Sequence, residues 1–205
     1  SASSIGVAAI SQDTSAVRAD IVGWSFAPEA GHATYVPLAH SGLSDTPNLS
    51  ASEVFARLSP VLKNPAIAKV GHDLKFVSIA AARHGVELLG AAFDTMIGSY
   101  LIDPTRSAHT LEDTSLEHLG YKALTEDDVC GAGSRTPLWQ HPPETLRDFE
   151  CERADLPLQL VPIIAGRLDS EGLTNVWETL ERPLVPVLVD MEQAGVRVDT
   201  AILRT

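Results

Sequence analysis

Between residues 66 and 101 the chain alternates strand and helix signals, and this alternation limits the available folds more than any other feature. Residues 66–71 form a short apolar run that leads into a helix opening near Asp73. That helix is expected to stop at Gly85, a residue type that ends helices by adopting the left-handed conformation. Residues 88–93 form a second apolar run, and Asp94-Thr95 opens the next helix. Upstream, apolar runs at residues 5–10, 20–26 and 32–38 are separated by turn chemistry such as Pro28-Glu-Ala-Gly31, the pattern of a β-meander. Ser50-Ala-Ser-Glu53 has the spacing of a capping box and predicts a helix to about Leu62. A meander followed by strand–helix alternation implies an α/β protein with a mixed β-sheet flanked by helices.

Beyond Asp103 the pattern weakens into short helices and loops up to Pro143. Residues 142–171 then read as one long helix, with Pro157 and Pro162 expected to kink or split it because each lacks an N–H and clashes one turn back. A last helix over residues 183–194 ends at Gly195. Asp199-Thr200 stands in a helix-starting position with almost no helix after it, which leads to the expectation of a fragment of a larger protein.

The length of 205 residues suffices for one good core or for one domain plus an appendage. The apolar runs are short and interrupted, so no membrane span is expected. Cys130 and Cys151 are too few for a disulfide framework and fit a reducing, cytoplasmic setting, and no C-x-x-C pair offers a zinc site. The net charge of −12, with 15 scattered basic residues, argues for weak DNA binding by this chain alone, since phosphate contacts rely on Lys and Arg.

The stretches Lys69-Val-Gly-His-Asp-Leu-Lys-Phe-Val77 and Gly85 to Leu101 resemble the middle of the 3′–5′ proofreading exonuclease domain of bacterial DNA polymerase I, family A. Residues 19–26, 33–40 and 181–188 extend the likeness, which runs from about Ile5 to Arg204. The resemblance implies a ribonuclease H-like fold of the DnaQ type over residues 1–175 and the start of the polymerase domain over residues 176–205. Its implied partners are that polymerase domain and, through the parent protein, DNA, with a cytoplasmic, nucleoid-associated location.

In that family four carboxylates hold two Mg²⁺ or Mn²⁺ ions that activate a water and stabilise the leaving oxygen. The first two come from a D-x-E motif on the first strand, where residues two apart share one face. The ungapped match puts Ala8 and Ile10 there. The third falls on Val77. The fourth belongs to a Tyr-x-x-x-Asp motif, and here Phe149 and Arg153 stand in those two places. No hard cation is ligated by such a set, so metal binding is expected to be lost. Ala8, Ile10 and Val77 are expected to pack the old cleft, with Arg153 pairing a nearby acid.

Compensation by relocated carboxylates would fall to Asp73, Asp94, Glu152 or Asp155. Asp73 lies one turn before Val77 on the same helix face, yet its ordinary role there is a helix cap. Asp94 matches a family aspartate that is not a metal ligand and is expected to cap the next helix. Asp155 sits two residues beyond Arg153, on roughly the opposite face of a helix. His72, His84, His109 and His118 are expected to be core or surface residues. Glu126-Asp-Asp128 is expected to be a solvated loop face, and Trp24, Trp139 and Trp177 packing residues. Three functions follow: a non-catalytic exonuclease-like domain that supports a polymerase, an active nuclease with relocated acids, or an acidic protein-interaction module.

Overall fold

The computed structural model describes residues 4–18 and 20–198. Asp199 and Thr200, where the sequence suggests a helix start, lie outside that range.

Five strands form one mixed sheet in the order β3-β2-β1-β4-β5. Strands β1 (Ser4–Ser11), β2 (Ile21–Glu29) and β3 (His32–Pro37) pair antiparallel as the expected meander. Strands β4 (Ala68–Gly71) and β5 (Ala91–Asp94) run parallel to β1. Pro28 lies in β2 and not in the turn. It occupies the register shift between Phe26 and Glu29, where a residue without an N–H removes no ladder bond. Gly31, at φ 84°, makes the tight turn itself.

Helix α1 (Ala51–Leu62) begins where the sequence places it, but the capping box does not form. The Ser50 hydroxyl bonds to the Ser52 hydroxyl at 2.9 Å in its place. Helix α2 (Leu74–Ala82) follows β4, and α3 (Thr95–Ile102) follows β5. Helices α4 (Leu111–Leu119) and α5 (Glu126–Cys130) are short. Helix α6 (Pro143–Ser170) runs unbroken past Pro157 and Pro162, so neither proline splits it. Both prolines sit in a helix held along its length by buried Leu146, Phe149, Leu156, Leu160, Ile164 and Leu168, and that packing outweighs two missing backbone bonds.

The two faces of the sheet carry separate cores. One joins Val7, Trp24, Phe55, Leu62, Leu74 and Val77 beneath α1 and α2. The other face lies under α6, and there the approach is unusually close. A Cβ on Gly6 would sit 1.9 Å from the Ala154 carbonyl oxygen, so only glycine lets the α6 backbone rest on β1. Ala8, Ala27 and Ala154 make the small-residue contact beside it.

After α6 the chain continues through α7 (Thr174–Val176), a π-helical turn at Trp177–Glu181, and α8 (Arg182–Ala194). Trp177 is buried against Phe93, with ring centroids 4.6 Å apart, which anchors this helical run to the second core. Lys75 of α2 donates to Glu192 at 2.5 Å and ties α8 across α2. Among the described residues, no helix is long and apolar enough to cross a membrane.

Candidate functional site: a crevice between β1 and β4

Strand β1 pairs with β4 only from Ser4 to Gly6. Past Gly6 the two strands separate, and a crevice opens where an antiparallel and a parallel neighbour meet. That is the place in an open α/β sheet where ligands ordinarily bind. The start of α2 forms one wall and α6 another. A cleft of about 770 Å³ there is lined by Ala8, Val77 and Arg153 together with His72, Asp73 and Asp94. A second cavity of about 750 Å³ adjoins it and holds Ile10, Phe149 and Arg153. Ala9, Asp73, Phe76 and Arg153 line both, so the five positions singled out from the sequence surround one continuous crevice.

The chemistry of those five positions is apolar or cationic. Ala8, Ile10 and Val77 are 9%, 8% and 2% exposed. Ala8 packs on Ala27 and Ala154, Ile10 on Val22, Tyr35 and Leu146, and Val77 in the core with Val7 and Leu74. Ala8 and Val77 line the first cleft and Ile10 the second while packing into the cores, and the space beside them stays open. Arg153 stacks on the Phe149 ring, with its guanidinium carbon 3.8 Å from the centroid, and donates to Glu112 Oε1 at 2.7 Å. Burial alone would raise the Glu112 carboxyl, but the Arg153 hydrogen bond and positive charge prevail and hold it below its usual value. This pair joins α6 to the first turn of α4 beside the crevice.

The four acids considered for compensation are engaged by the protein itself. Asp73 adopts φ 65°, the single non-glycine positive φ among the described residues, and its carboxylate accepts from Phe76 N at 3.1 Å as the cap of α2. Asp94 is 2% exposed and caps two helices at once. It accepts from the backbone N–H groups of Asp73 (3.2 Å) and Leu74 (2.6 Å) on one side and of Met96 (3.0 Å) and Ile97 (3.4 Å) on the other. Burial nevertheless raises its carboxyl to about 6. Asp155 faces away from the crevice and accepts from Gly31 N and the Gln159 amide, both at 2.6 Å. Glu152 accepts from the Tyr121 hydroxyl at 2.6 Å and from Leu124 N at 2.7 Å. Asp73 and Asp94 therefore share the crevice, whereas Asp155 and Glu152 do not.

His72 is half-buried and bridges Thr95 Oγ1 and the His109 carbonyl, both at 2.9 Å. Its Nε2 must donate to that carbonyl, and burial lowers the imidazole to about 4, so the ring is neutral. Two residues the sequence did not single out belong to the site. Glu112, the partner of Arg153, lies 41 positions away and had no local signal. Glu150 is 1% exposed and lines the second cavity, and burial pushes its carboxyl up to about 7. Its position next to Phe149 on the inner face of a long helix was the only cue.

The family model for the DNA polymerase I, ribonuclease H-like domain matches residues 13–156. The chain belongs to that family. Members similar over 92% of this chain include DNA polymerase I of Pseudomonas aeruginosa, 35% identical over 192 residues, and of Rhizobium leguminosarum, 32% identical over 207 residues. The chain spans 21% and 20% of the length of those two relatives. Among solved structures, the POL domain of Pol1 from M. smegmatis in complex with DNA primer-template and dNTP aligns with TM-score 0.73 and 23% identity, covering 98% of this chain and 30% of that one. Brucella melitensis NrnC with bound Mg²⁺ aligns with TM-score 0.68 and 18% identity, covering 94% of this chain and 86% of that one. The ribonuclease H-like fold expected from the sequence is thereby established for this DNA polymerase I domain.

The two-metal centre associated with the fold can be tested against the residues present. Ala8, Ile10 and Val77 have no ligating atom, and Arg153 brings a fixed positive charge to the fourth place. The set does not fit divalent cations.

Proposed function

We propose that this is a non-catalytic, exonuclease-like domain of a DNA polymerase I, kept as a structural support for the polymerase in DNA replication and repair. The observation that carries this reading is the Arg153–Glu112 pair. It puts a cation where a metal site needs a carboxylate, and it satisfies that cation with a protein anion. The apolar surroundings of Ala8, Ile10 and Val77 support it, because removing clustered carboxylates removes repulsion that only metal would offset. Among the described residues no group of three or more His, Cys, Asp or Glu is arranged to hold a metal ion.

Residues from 176 onward are read as the start of the polymerase domain, seated on this domain through buried Trp177. DNA contact is proposed to come through the parent protein, since the 15 Lys and Arg of this acidic chain are scattered and outnumbered by 27 Asp and Glu.

The test is degradation of a 3′-labelled single strand by the pure chain with Mg²⁺ or Mn²⁺. No nucleotide release is expected, and neither ion should raise the melting midpoint. Release that Asp73→Ala abolishes would overturn the proposal in favour of a relocated site, as would a midpoint raised by several degrees.

A further inference from the structure

Helix α8 closes one side of the crevice with little to hold it there. Glu181, Val185 and Leu188 form part of the wall of the first cleft. A separate groove of about 570 Å³ lies on the other side of α8, lined by Ser78 and Ala82 of α2 and by Arg182, Pro186 and Val189. Val185 lines both spaces, so α8 is the partition between them. Val185 is also the one buried side chain of α8, whereas α6 buries side chains along its whole length. Among the described residues, one ion pair ties α8 across α2, Lys75 to Glu192 at 2.5 Å. Its side chains are 38% and 35% exposed, and a pair that wet holds weakly.

The backbone is weakest at the root of this helix. Trp177–Glu181 is a π-helical turn, a rare form that recurs at functional sites and at kinks. Pro183 and Pro186 follow it. Each lacks the N–H that would bond the carbonyl four residues back, so the Thr179 and Arg182 carbonyls lose their helical donors. Just ahead of the missing rungs, Trp177 is fixed against Phe93. A firm anchor beside a weakened stretch makes a hinge. We propose that α8 is a hinged strap that pivots at the turn over residues 177–181, lifts from α2 and joins the crevice to the groove beside it. Lifting breaks one exposed ion pair and uncovers one valine, far less than unfolding the domain requires, so the strap opens while the sheet and α6 stay folded. Access to the crevice is thereby set by α8, and this inference does not rest on the non-catalytic reading.

The test follows a thiol at position 185 in the whole chain, with Cys130 and Cys151 replaced by Ala. Val185→Cys is close to the native side chain in size and is buried only while α8 is down. A maleimide should label it at least about tenfold faster than Leu160→Cys in the core of α6, which only global unfolding uncovers. Lys75→Glu turns the tie into a repulsion and should speed labelling at 185 about fivefold, and Glu192→Lys in the same chain should restore the original rate. Equal rates at 185 and 160 would overturn the proposal, because α8 would then leave α2 only when the chain unfolds. A rate at 185 equal to that of a free thiol would overturn it as well, since nothing would then be closed. A Lys75→Glu rate that is unchanged, or that Glu192→Lys leaves unrestored, would remove the tie and with it the strap. Amide exchange of the unsubstituted chain is the second measurement and needs no variant to fold. Residues 187–191 should exchange together and faster than the Trp177 amide, which bonds the Leu173 carbonyl at 3.0 Å. A single rate across the turn would show that no hinge lies there.

Discussion

Placing a carboxylate at position 77, by Val77→Asp, should destabilise this domain. Val77 is 2% exposed and packs with Val7 and Leu74 at the wall of the crevice, so the introduced carboxyl would replace a largely buried apolar side chain. Lost apolar burial costs about 1.5 kcal/mol. Placing even a neutral carboxyl there costs about 1–2 kcal/mol more. Each unit by which burial raises the carboxyl adds about 1.4 kcal/mol once the pH exceeds the folded-state value. A rise of about two units brings the loss to roughly 5–6 kcal/mol at neutral pH, a large share of a typical stability of about 5–15 kcal/mol. The sign of the pH effect follows directly. The folded-state pKa exceeds the unfolded value of about 3.9, so the folded state holds the proton longer, and stability falls as pH rises through that window. Urea unfolding at pH 4.5 and 7.5 measures both effects. With a slope of about 2 kcal/mol per molar, the midpoint should drop by roughly 2.5 M at pH 7.5 and by clearly less at pH 4.5. A loss below about 1 kcal/mol at pH 7.5, or one that is independent of pH, would refute the argument. Recovery of the midpoint with Mn²⁺ would do so more sharply, because the carboxylate would then have found an ion to bind.

Asp94→Asn should flatten the pH dependence of stability between about 4 and 6, because the native carboxyl is raised to about 6 and contributes stability that is full below about 3.9 and lost as pH passes 6. Paired urea titrations of the two proteins check this, and parallel curves would contradict it. Arg153→Ala should cost about 1–2 kcal/mol, since the pair is about one-quarter exposed and lies between the surface and buried limits. A double-mutant cycle with Glu112→Gln should recover a coupling near 1 kcal/mol, and additive losses would show that the pair is idle. Gly6→Ala should destabilise by about 3 kcal/mol or more, because the Cβ meets the Ala154 carbonyl and the contact is backbone against backbone. Thermal unfolding reads it, and a neutral result would mean that α6 can lift from β1 at no cost.

Much of this domain was legible in the sequence because its signals are local. The meander, the strand–helix alternation, the cap at Asp73 and the long helix after Pro142 depend on neighbours within a few residues. The misreadings also have physical causes. Pro28 looked like a turn residue, but an irregular register gave its missing N–H a harmless place in β2. Pro157 and Pro162 looked like breakers, but burial along α6 outweighed their local cost. Ser50 offered a cap, and Ser52 took its hydroxyl.

The sequence by itself determined the family motif and the lack of a ligating carboxylate at positions 8, 10, 77 and 153, since residue identity alone decides whether a side chain can ligate a hard cation. Only the tertiary structure decided what those residues meet. Residues 8, 77 and 153 meet because β1 and β4 part after Gly6 and α6 lies close over the gap. The pairing of Arg153 with Glu112 and the buried carboxylate of Glu150 arise from contacts between segments distant in the chain, where burial and charge are set by the neighbours that folding brings together.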